Sequence, residues 1–79
     1  MISKQEAFII AHEHIEGLIL QEECHSNKSC GTSYPLSWTF NIYHRNRDKD
    51  TFLTVIEITN KGVVARWDKK HISEETEDL

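Results

Sequence analysis

Three of the five histidines and both cysteines fall between His12 and Cys30, so metal ligation is the first chemistry to weigh. Cys24, His25 and Cys30 could offer a zinc ion two thiolates and one imidazole. A structural zinc site wants four ligands, commonly built on closely spaced cysteine pairs, and Cys24 and Cys30 are more widely spaced than that. The fourth ligand would have to be His14, His44 or His71. His12 and His14 resemble a chelating pair, but two positions on a helix are ~200° apart around its axis. A Cys24–Cys30 disulfide would close a short loop for ~2–3 kcal/mol at best and would not persist in a reducing compartment. A nucleophile could be written as Cys30 with His44 or His71. It lacks an oriented base and an oxyanion hole, and no glycine-rich elbow, zincin motif or phosphate loop accompanies it. The reading is of a protein that is not an enzyme and carries no cofactor. A metal-binding or redox-responsive module built on Cys24, His25 and Cys30 is the alternative.

The elements that must position these groups are read from capping and periodicity. Ser3-Lys4-Gln5-Glu6 is a capping box, which starts a helix at Lys4. At 100° per residue, Ala7, Phe8, Ala11, Ile15, Leu18 and Ile19 form one apolar stripe. The stripe predicts a helix to about Glu22 or Glu23, with Gly17 weakening it by ~1 kcal/mol relative to alanine. Ile9 and Leu20 lie on its far side. Residues 24–35, rich in Ser, Asn, Gly, Thr and Pro, read as loop.

Leu36 to Tyr43 alternates without error: Leu36, Trp38, Phe40 and Ile42 on one side, Ser37, Thr39, Asn41 and Tyr43 on the other. Thr51 to Thr59 is a second strand, apolar on both faces and therefore central. Asn60-Lys61-Gly62 is a hairpin turn with Gly62 at the position needing positive φ. Val63 to Trp67 is a third strand, and Asp68 to His71 leaves the sheet. The expected fold is α+β and two-layered, one N-terminal helix packed on a three-stranded antiparallel meander of order 1-2-3. It occupies residues 1–72 as a single domain, followed by an acidic tail at 73–79.

Composition narrows the function. Thirteen acidic and nine basic side chains give a net charge of −4, against the basic stripe that nucleic-acid binding needs. The basic residues do gather at Arg45, Arg47 and Lys49, and at Lys69 and Lys70 beside His71, with Tyr43 as a possible stacking platform. Asp48, Asp50 and Asp68 interrupt both groups, as in an ordinary solvated surface. No apolar run approaches the ~18–20 residues of a membrane span. The opening MISKQEAF does not read as a signal peptide, which predicts a cytoplasmic protein with reduced thiols.

ISKQEAFIIAHEHIE, followed by strands ending VIEITNKGVVARW, resembles PepSY-like domains. It also resembles a family of small bacterial toxin-immunity proteins with an opening I-S/T-x-x-E-A helix and a closing V-x-x-x-x-G-x-V hairpin. The matching residues are Ile2, Ser3, Glu6, Ala7 and Ala11, then Ile58, Gly62 and Val64, with Ile58 one position nearer the glycine than the first V of the pattern. The immunity resemblance implies a stoichiometric inhibitor of a cognate toxin and carries over no functional residue. The residues themselves point to partner binding, because one helix covers only one face of a sheet. Ser37, Thr39, Asn41 and Tyr43, with Leu53 and Val55 beside them, would then form a contact surface. The occupant would be a protein partner or a second copy in a homodimer.

Overall fold

Ser3 closes a reciprocal cap. Its hydroxyl accepts from the Glu6 amide at 3.1 Å, and Glu6 Oε1 accepts from the Ser3 amide at 2.8 Å. These hydrogen bonds hold the Glu6 carboxyl below the ordinary carboxylate range. Replacing Ser3 with alanine is expected to cost about 1 kcal/mol, lowering the melting temperature by roughly 4–8 °C; calorimetry measures this.

The computed structural model describes residues 1–72. Helix α1 spans Lys4–His12, followed by strands β1 (Leu18–Asn27), β2 (Ser37–Arg45), β3 (Thr51–Thr59) and β4 (Val64–His71). The strands pair antiparallel in the order β1-β2-β3-β4. The expected two-layer α+β plan is present, but the sheet has four strands where three were expected.

The extra strand is taken from the expected helix. That helix stops at His12, ten residues early. His14 Nδ1 lies 3.0 Å from the Ile10 carbonyl, which also accepts from the Glu13 amide at the helix end. Gly17 then takes φ +115°, outside any helix. Residues 24–27, expected as loop, belong to β1. At the far end, Asp68 to His71 stays in the sheet: Asp68 pairs with Val55, Lys69 with Thr54, Lys70 with Leu53 and His71 with Phe52. The Asn60-Lys61-Gly62 turn is present, with Gly62 at φ +81°. The expected acidic tail, 73–79, lies outside the described residues.

The core sits between α1 and the middle strands. Ala7, Ala11, Trp38, Phe40, Ile42, Ile56 and Ile58 are buried, and Phe8, Ile10, Ile15, Ile19 and Val64 pack around them. Ala7 and Ala11, four apart on one helix face, let the helix backbone approach the sheet closely. Leu18, expected on the core stripe, is exposed, as are Ile9 and Leu20. Leu20 lies where the β1–β2 register shifts between Ile19 and Gln21, so its side chain escapes the pattern. Among the described residues no helix is long and apolar enough to cross a membrane.

Candidate functional site

The β-register sorts every strand residue onto one of two faces. Directly opposed residues in an antiparallel pair project to the same side. Trp38, Phe40 and Ile42 lie beneath the helix. Their neighbours on β2 therefore point away from it: Ser37, Thr39, Asn41 and Tyr43. Across β3, Tyr43 opposes Leu53, Asn41 opposes Val55 and Thr39 opposes Glu57. All six residues expected to form a contact surface thus share one face. The helix packs on the other face, over β2 and β3, and no other described element covers this one.

This open face has two unlike halves. At one end, Asn27 Nδ2 donates to Thr39 Oγ1 at 2.8 Å and Ser37 Oγ at 3.2 Å. Ser37 Oγ in turn donates to Glu57 Oε2 at 2.6 Å. The network ties three strands together, and Ser37 is buried within it. At the other end, Asn41, Tyr43, Leu53 and Val55 are half-buried, with no side-chain hydrogen bond among the described residues. Charged and polar groups border both halves. Gln21, Glu23 and His25 of β1 oppose Tyr43, Asn41 and Thr39; Arg66, Asp68 and Lys70 of β4 oppose Glu57, Val55 and Leu53. Arg66 Nε donates to Asp68 Oδ2 at 2.8 Å along that border.

Sequence reading missed the β1 border altogether, because Gln21 to Asn27 is polar on both faces and carries no alternation. The available signal was Gly17 followed by the apolar run Leu18-Ile19-Leu20, which fits a strand entered after a break. Asp68 and Lys70 gave no signal for the same reason as β1.

The cysteines and histidines are dispersed. Cys24 opposes Phe40 on the helix side, whereas His25 opposes Thr39 on the open face. Cys30 is exposed in the connection from β1 to β2, and both thiols are free. His12 Nε2 reaches Glu22 Oε2 at 3.5 Å on β1, while the His14 ring meets Trp67 on β4, centroids 5.1 Å apart. The two histidines therefore diverge towards opposite edges of the sheet. Among the described residues no group of three or more His, Cys, Asp or Glu side chains is placed to hold a metal ion. Cys30 follows the Asn27 end of β1, near the start of β2, and His44 and His71 lie towards its far end. That span is roughly 20 Å along β2. The basic residues Lys69 and Lys70 also part: Lys70 joins the open face, and Lys69 Nζ sits 4.4 Å above the Phe52 ring on the other.

One histidine is structurally distinctive. His44 is 1% exposed, its Nε2 is 2.9 Å from Thr54 Oγ1, and its ring stacks on Phe52 at 5.6 Å. Its Nδ1 is buried without a well-formed hydrogen bond. Burial pushes the imidazole down from its ordinary range, opposed by the Glu16 main chain and assisted by Lys69.

Comparisons with protein-family models, curated proteins and solved structures return no match.

Proposed function

We propose that this protein works by binding another protein through the open sheet face. The observation that carries the reading is the uncovered half-buried patch of Asn41, Tyr43, Leu53 and Val55, bordered on both edge strands by charge. An apolar and aromatic centre with a polar rim is the usual anatomy of a protein interface. The net charge of −4 favours a basic partner and speeds its approach. The sharper form of the proposal, supported by the resemblance of the helix and hairpin to immunity proteins, is a cytoplasmic bacterial inhibitor that occludes a toxin stoichiometrically. The Ser37–Asn27–Thr39–Glu57 network would hold one end of the surface rigid while the other makes the contact.

The test is affinity capture with wild-type protein and Val55→Lys, followed by inhibition assays on the captured protein. Val55 is half-buried and lysine there would stand opposite Asp68, so the stability cost should be about 1–2 kcal/mol, which a thermal melt checks alongside the capture. Partner affinity should fall by at least about 2 kcal/mol, roughly thirtyfold. Equal capture by both proteins would refute the surface. A monomer that recovers no partner and neutralises no co-expressed toxin would refute the function, and a dimer by light scattering would replace the partner with a second copy.

A further inference from the structure

The side of the sheet facing the helix carries a separate feature. Helix α1 lies over β2 and β3 and stops short of the edge strand β1. A cleft of about 550 Å³ remains there, lined by Lys4, Gln5, Phe8, Glu22, Cys24 and Phe40. Small-molecule sites typically span roughly 300–1,000 Å³. Phe8 and Phe40, tilted at 53° with centroids 5.9 Å apart, supply the apolar surface. Cys24 extends it: burial pushes its thiol up, so it stays a neutral, polarisable group.

The charges around the cleft are unequal in what they already hold. Glu22 faces His12 at 3.5 Å. Lys4 has no ion pair or hydrogen-bonded side-chain partner among the described residues. The capping box occupies the Glu6 amide, and Ser3 O accepts from the Ala7 amide, which leaves the Lys4 and Gln5 amides uncommitted at the start of the helix. The cleft therefore combines an apolar aromatic wall with one uncommitted cation at its mouth.

We propose that this cleft binds a small amphipathic monoanion, an aryl or alkyl carboxylate whose body lies on Phe8 and Phe40 and whose carboxylate meets Lys4. A carboxylate beside an ammonium forms a charge-assisted hydrogen bond, stronger where one side of the pair is dry. The site is on the opposite side of the sheet from the open face, so it stands or falls independently of the partner-binding reading.

Two-dimensional amide NMR of the full chain titrated with 4-phenylbutyrate tests it. Saturable shifts are expected at Lys4, Gln5, Phe8 and Cys24, with none at Asn41 or Val55. Lys4→Glu should weaken 4-phenylbutyrate about tenfold, since it replaces attraction by repulsion. The neutral 4-phenylbutyramide should bind wild type and Lys4→Glu alike. Cys24→Phe, which adds bulk inside the cleft, should abolish both while leaving the spectrum of β3 and β4 unchanged. Equal affinity of 4-phenylbutyrate for wild type and Lys4→Glu overturns the proposal. Shifts confined to the open face, or no saturable shift at millimolar ligand, overturn it as well.

Discussion

Gly17→Ala is expected to destabilise the protein by about 2–4 kcal/mol. Gly17 has φ +115°, a conformation that costs an L-residue roughly 1–3 kcal/mol. The space is also closed. A Cβ there would stand 2.3 Å from the Arg45 carbonyl oxygen, 3.0 Å from its carbon and 3.1 Å from the Asn46 Cα. All three are backbone atoms at the end of β2, so no rotamer change relieves the contact. Relief requires moving the entry to β1, which begins at Leu18 opposite Arg45. The sign of the effect discriminates between folds. In a helix running through residue 17, alanine would stabilise by ~1 kcal/mol. Gly31→Ala is the control, because Gly31 also has positive φ but nothing lies within 4 Å of its added Cβ. Urea denaturation of the two variants measures the difference. A Gly17→Ala protein as stable as wild type would mean that β1 is not docked as described. Against the roughly 5–15 kcal/mol typical of folded domains, this is a large loss for a 79-residue chain.

Stability is expected to fall as pH drops below about 6.5, and His44 is the cause. An unfolded imidazole takes up its proton near 6.5. In the folded protein burial lowers that value, so His44 stays neutral until the pH is lower still. Between the two values the unfolded chain binds more protons than the native one, and unfolding free energy rises with pH across that window. The contribution is fully present above about 6.5 and is lost as pH falls towards the native value. Geometry agrees with the sign. The ring is buried and Lys69 adds like charge nearby, and together these outweigh the Glu16 main chain, which favours the charged form. His44→Leu tests the assignment, since leucine keeps an apolar contact with Phe52 and removes the buried titration. Thermal melts from pH 7.5 to 5 should show a slope in wild type that flattens in His44→Leu. An undiminished slope in the variant would assign the effect elsewhere.

The candidate surface was legible in sequence only along its middle. Ser37 to Tyr43 alternates strongly, and Thr51 to Thr59 is β-branched and aromatic throughout, so pairing the two strands puts the six central residues on one side. Its borders were not legible, since β1 beyond Gln21 and β4 beyond Trp67 are polar on both faces. An edge strand of this kind carries no burial pattern because it buries little. The metal reading drew on nearness in sequence. Cys24 and His25 adjoin in the chain, but strand geometry sends adjacent side chains to opposite faces.

Local chemistry in the chain determined the helix start at Ser3, the two central strands, the Gly62 turn and the α+β class. Only tertiary structure decided where the helix ends and how many strands there are. Ile15 and Ile19 fit a helical stripe and a packed extended segment equally well, because short apolar runs satisfy either period. The contest is settled by β2. With β3 on one side, its other edge presents a row of backbone N–H and C=O groups beside a buried apolar face. Pairing that edge with Leu18–Asn27 satisfies those groups, a gain that no local propensity of the segment records.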